Sequence, residues 1–174
     1  KISYKDGILK AVGQTRIDGT LNDSFSLDEY EGNLRLVTTV SSNGDSGIMP
    51  LILFGDSADS EIAKQEDTNY LYILDDKLNE LSKIEDIAKD EQVYSARFIG
   101  KTGYVVTYKQ TDPLFSIDLS DPKNPQIIGA LKIPGFSEYL HPYGDGLLLG
   151  IGMDVDDTGT TTNGVKLSMF DISN

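Results

Sequence analysis

The chain has 174 residues, with 28 Asp and Glu against 15 Lys and Arg, a formal net charge of −13, no Cys and no Trp. The acidity disfavours nucleic acid and anionic membrane surfaces as partners, because both bind through basic patches. The missing Cys excludes a disulfide framework and a thiolate metal site. No apolar run approaches the roughly 18 residues that cross a bilayer as a helix. Six Phe, nine Tyr and a 39% hydrophobic share suffice for one ordinary core, and the acidic surface reads as a solvated one that also attracts cations.

Residues 1–19 read as two short strands, ISY and ILKAVGQTRI, the last two of a four-strand unit. The next unit spans residues 20–91. Its first two strands lie in SFSLDEYEGNLRLVTT and its third is LYILD. Its fourth is LNELSKIEDI, and a long polar loop, 41–69, separates the second strand from the third. Within that loop IMPLILF reads as an extra strand or a rim patch, and DSADSEIAKQEDTN has little to bury. IEDIAKDE, at 84–91, reads as a capped loop between units.

Residues 92–135 form the clearest unit. In YSARFI, Tyr94, Ala96 and Phe98 alternate on one face. Gly100 and Gly103 bound a turn, and YVVTY follows with the β-branched and aromatic residues that suit a half-buried pleat. Asp112-Pro113 reads as a break before LFSID. SDPKNP is a turn, because Asp121 bonds its own backbone and Pro122 presets φ, and QIIGALKI closes the unit. Residues 136–174 repeat the first three strands, as EYLHPYGDGLLLGIG and LSMFD, with an acidic Gly-Thr loop inserted at 152–164.

The copies share order as well as character. Asp75 and Asp118, each ending a third strand, are 43 positions apart, and four strands over roughly 40 residues is the period of a propeller blade. Asp118 and Asp171 are 53 apart, the inserted loop accounting for the stretch. The expected fold is an all-β propeller of four-stranded antiparallel blades in an incomplete set, two full blades flanked by partial ones. The chain starts at Lys1 without a Met or a signal peptide, so the expectation is a segment of a longer protein whose open edges offer a route to self-association.

These phrases together, from YSARFIGKTGYVVTY through QIIGALKIPGFSEYLHPY to GVKLSMFDIS, with SFSLDEYEGNLRLVTT upstream, resemble the secreted bacterial β-propeller domain family, a distant relation of WD-type repeats. The resemblance covers about residues 23–173, although the chain is shorter than the family's full domain. It implies a secreted or surface-exposed protein, found mostly in bacteria with some archaea. It implies no established catalytic residue and no established ligand, so no functional residue is carried over.

Four motifs have a composition that invites a chemical reading. Gly44-Asp45-Ser46-Gly47 matches a chymotrypsin-like nucleophile turn, but the lone His141 follows it, Ile48 replaces the next glycine, and the flanks are blade strands, so it reads as a turn. A lone histidine makes no metal cluster, and His141 is expected to pack or hydrogen-bond to a neighbouring blade. Asp154, Asp156 and Asp157 with Gly159 have the look of the start of a calcium loop, yet the twelfth position is Val165 rather than Glu; a weak calcium site in 152–164 is the one cofactor expectation. The recurring Asp75, Asp118 and Asp171 are assigned to turns, where Asp accepts backbone N–H groups. No GxGxxG, P-loop, HExxH or Trp-bearing Asp box occurs, so no catalytic, cofactor-binding or metal-ligating residue is assigned. The expected function is an extracellular, non-catalytic scaffold that binds a protein or a cell-envelope polymer. The alternatives are a lyase or glycosidase acting through channel carboxylates, or a regulatory propeller of a larger secreted enzyme.

Overall fold

The computed structural model describes residues 1–41, 67–108, 112–156 and 161–173. They form thirteen strands in four antiparallel sheets. A hairpin pairs β1 (Ile2–Lys5) with β2 (Ile8–Ala11). A 3-10 turn, Ser24–Ser26, leads into a four-stranded sheet of β3 (Leu27–Tyr30), β4 (Asn33–Val40), β5 (Thr68–Leu74) and β6 (Glu80–Ile84). The second four-stranded sheet holds β7 (Gln92–Ile99), β8 (Thr102–Tyr108), β9 (Asp112–Asp118) and β10 (Gln126–Ile133). The last contains β11 (Phe136–Pro142), β12 (Leu147–Val155) and β13 (Thr162–Asp171). In each of the last three sheets the strands lie side by side in chain order. This is the blade of a propeller, and the described residues form a partial one with no closed ring.

The core lies in the seams between blades. Val37, Leu71 and Ile73 of one four-stranded blade meet Val93, Ala96, Val105 and Ile117 of the next. The opposite face of that second blade sets Tyr104, Val106 and Leu114 against Leu140, Leu148 and Phe170. A third cluster, Leu36, Tyr72 and Leu74, is covered by Ile17 from the segment ahead of β3. The outermost surfaces stay open: every residue of β1 and β2 is exposed, as are Val165, Leu167 and Met169 of β13.

Bulges set which face each side chain takes. The register of β7 against β8 slips between Val93 and Ser95, so Tyr94 is the extra residue. An extra residue inverts the alternation on either side of it. Val93, Ala96 and Phe98 therefore face the seam with the preceding blade, and Tyr94 faces the other. The expectation that Tyr94 shares a face with Ala96 and Phe98 is corrected by that one inserted residue. β11 carries the same slip, between Ser137 and Tyr139.

Two further boundaries differ from the sequence reading. Asp112-Pro113 lies within β9, not between strands. Pro113 pairs with Lys132 of β10, while pairing with β8 starts one residue later, at Leu114, so the missing N–H falls where β8 no longer needs it. The insertion at 152–164 is largely a lengthened hairpin: Met153 pairs with Val165, Asp154 with Gly164 and Val155 with Thr162. Of the segment 84–91, Ile84 ends β6 and 85–91 is a loop, with Asp86, Ala88 and Asp90 at positive φ. Its Ile87 is fully buried in the first seam. Asn69, also fully buried, holds the loop there by donating from Nδ2 to Ile87 O at 2.8 Å and to Glu91 O at 2.8 Å.

In each blade with a first strand, the connection from second to third strand leaves the end of the sheet where the first strand begins. Gln92 pairs with Tyr108, and Phe136 with Met153, just short of those connections.

Candidate functional site

The first strands β7 and β11 run together, and the turn Ser24–Ser26 lies against β7. Asp23 caps that turn, its Oδ1 accepting from Phe25 N at 2.8 Å and Ser26 N at 3.0 Å. Asn22 Nδ2 donates to Tyr94 O at 2.6 Å, pinning the segment to the start of β7. Ser95 Oγ donates to Ser137 O at 2.7 Å, and Arg97 Nε to Leu140 O at 2.7 Å, so β7 is tied to β11 at two levels.

Two aromatic groups result. At the start of the strands, Tyr94, Tyr108 and Phe136 meet with ring centres 4.8–5.4 Å apart, in tilted and edge-on arrangements. All three are half-buried. Further along, the Arg97 guanidinium carbon lies 4.0 Å from the Phe25 ring centre and 5.2 Å from that of Tyr139. These two rings are 5.2 Å apart. Elements of three blades thus converge on one cation.

His141 is exposed, and its Nδ1 lies 3.1 Å from Tyr139 Oη. The partner expected on a neighbouring blade is instead two residues away on the same strand, because alternation places positions i and i+2 on one face.

The recurring aspartates do what turns require. Asp75 Oδ1 accepts from Lys77 N at 2.9 Å and Asn79 N at 2.8 Å, Asp118 Oδ1 from Ser120 N at 2.9 Å, and Asp171 Oδ1 from Ser173 N at 3.0 Å. Hydrogen bonds to the charged form hold all three carboxyls below the usual aspartate range. For Asp75 the Asn79 side chain is the main cause, for Asp118 Ser120, and for Asp171 Ser173.

Asp154 sits in the β12 ladder with its Oδ1 3.8 Å from Lys166 Nζ, and Asp156 N donates to Thr161 O at 3.0 Å. Asp157 lies outside the described residues, as do Gly44-Asp45-Ser46-Gly47 and the apolar run at 48–54. Among the described residues no three His, Asp or Glu side chains gather as a metal site, and no helix is long and apolar enough to cross a membrane.

Sequence reasoning missed Arg97 and Arg35. The available signal was a charged residue inside an otherwise apolar strand, YSARFI and NLRLVTT. Arg35 is 3% exposed, and its Nε donates to Asp28 Oδ2 at 3.0 Å and its Nη1 to Gly100 O at 2.6 Å. Its guanidinium lies 4.7 Å from the Tyr30 ring centre and 5.1 Å from that of Phe98. It fastens β4 to the turn after β7 and so joins the two four-stranded blades.

Sequential four-stranded sheets packed face to face, with first strands gathered at one edge, define a propeller-type scaffold. The chain belongs to the Beta propeller domain family, whose model matches residues 1–174. It is 42% identical over 165 residues to an uncharacterised protein of Archaeoglobus fulgidus, a match covering 95% of this chain and 22% of that protein. It is also 42% identical over 158 residues to an uncharacterised protein of Methanocaldococcus jannaschii, covering 91% of this chain and 22% of the relative. The chain therefore spans about a fifth of the length of these relatives. The family match bears out the propeller in the expected resemblance; both relatives are archaeal, and neither bears out its secreted bacterial setting. No solved structure matches the chain.

Proposed function

We propose that the chain acts outside the cell as a non-catalytic propeller scaffold that binds a protein or a cell-envelope polymer along the edge formed by β7 and β11. The observation that carries this reading is the group of half-buried rings Tyr94, Tyr108 and Phe136 at the start of those strands, next to the connections that leave the sheets there. Partly exposed aromatic rings held by rigid strands offer apolar contact area at little entropic cost. The lyase or glycosidase reading needs two close carboxylates with pKa values driven apart. Among the described residues the three carboxyls that shift, Asp75, Asp118 and Asp171, are each lowered by their own turn, on three different sheets.

A thermal-shift screen with peptidoglycan fragments, an oligosaccharide panel and calcium tests the reading. A ligand at 100 times its dissociation constant adds about 2.7 kcal/mol to the stability of the state it binds. A polymer that raises the melting temperature, with the rise lost in Tyr94→Ala, supports binding at this edge, and turnover of that polymer would return the reading to an enzyme. A calcium shift lost in Asp154→Ala would place a metal at 152–164 instead.

A further inference from the structure

Arg35 and Arg97 share an aromatic bracket but not an electrostatic partner. Around Arg35 every side-chain nitrogen is used: Nε and Nη2 donate to Asp28 and Nη1 to the Gly100 carbonyl. Around Arg97, Nε donates to Leu140 O, while Nη2 is buried and has no hydrogen-bond partner. Ion pairs among the described residues join Arg35 to Asp28, Lys83 to Glu85 and Lys166 to Asp154; none includes Arg97, in a chain where acidic residues outnumber basic ones 28 to 15. Ring faces attract a guanidinium, but they do not replace an acceptor for a buried charged N–H. At Arg35 a carboxylate fills that role.

We propose that Arg97 is a recognition point for a carboxylate brought by a ligand, a small molecule with a single carboxylate on a flat, otherwise uncharged body. The proposal rests on the reading of the β7–β11 edge as a binding surface and names the chemistry it takes there. A single carboxylate fits because a net charge of −13 repels polyanions. A flat body fits because the Phe25 and Tyr139 rings flank the guanidinium. Phe25 is the wall that turns aside to uncover Nη2. It is 39% exposed, sits on a three-residue turn, and belongs to none of the hydrophobic clusters. The ligand ring then takes its place over the guanidinium, and the carboxylate accepts from Nη2 in a charge-assisted hydrogen bond.

The test titrates benzoate, and benzamide as its neutral counterpart, into the unaltered chain, following the Arg97 Nε–H and the Tyr139 ring by NMR. The expected result is a saturable benzoate response at both groups, about tenfold or more tighter than benzamide, as a charge-assisted hydrogen bond predicts. Arg97→Gln removes the response, and Arg97→Lys keeps a weakened one. Equal responses to the two compounds, a benzoate response centred on Arg35 or on lysines, or no response at millimolar concentration would overturn the proposal. The comparison of compounds needs no variant to fold. Its failure is distinct from failure of the binding scaffold, since a neutral polymer stacking on Tyr94, Tyr108 and Phe136 needs no guanidinium.

Discussion

Arg35 and Arg97 mark two kinds of junction in one scaffold. Arg35 lies inside a seam, where β4 meets the turn after β7, and its side chain is 4% exposed. The protein supplies its counter-ion from the strand just before, β3, and the pair is fixed in register because Asp28 and Arg35 face each other across the β3–β4 ladder. Arg97 lies at the gathered edge of the blades, where Phe25 and Tyr139 supply rings and Leu140 only a carbonyl. A cation whose partner is fixed by strand register serves the fold. A cation held only by rings and one carbonyl keeps part of its bonding capacity, and that is the property a recognition site needs.

Arg35→Ala is the strongest way to test this contrast. It strands Asp28 and removes the tie to Gly100, and breaking a largely buried pair costs about 3 kcal/mol. Urea unfolding measures it, and a loss no greater than that of Arg97→Ala would erase the distinction. Asp28→Ala comes next, at about 2–3 kcal/mol, because it leaves the Arg35 charge buried without its carboxylate. The double variant Asp28→Ala/Arg35→Met should recover part of that loss, and strict additivity of the two changes would deny the coupling.

Arg97→Ala is expected to cost about 1 kcal/mol, the scale of a cation–π contact plus one hydrogen bond, with the melting transition still cooperative. The smallest effect comes from the turn aspartates. Their pKa values are depressed in the folded state, so their contribution is present above the ordinary aspartate range and is lost as pH falls through the depressed values. Carboxyl NMR titration should place Asp75, Asp118 and Asp171 below the same residues in short unfolded peptides, and coincident midpoints would show that the turns do not hold the charged form.

Much of the scaffold was legible because its signals are local. Alternation with β-branched residues marked the strands, and Gly and Pro marked the turns. Asp at the end of each third strand marked a cap that its own neighbours complete. What was not legible depends on register or on distant chain. A bulge adds one residue without a composition mark, so the side taken by Tyr94 could not be read from YSARFI. The 152–164 stretch looked like a loop because of its Gly, Thr and Asp, yet its partner residues Met153 and Val155 draw most of it into a hairpin. The Arg97 bracket joins Phe25, Arg97 and Tyr139 from three separate blades, and only the oddity of a charge in an apolar strand pointed to it. YLHPYG suggests packing or a hydrogen bond to a neighbouring blade for His141, whereas the exposed ring meets Tyr139 two residues away.

The second-to-third strand connections leave each blade at the end where its first strand starts, while the seams are filled mainly by the strands, with Ile87 added from the loop after β6. Among the described residues the packed pairs of the seams therefore lie on either side of these joints rather than depending on how long the joints are. A reporter domain spliced into one of these joints would ride beside the aromatic edge and register what lands there. The scaffold thus separates what must stay constant from what is free to vary, and a family built on it can diversify in recognition while its folding problem stays the same.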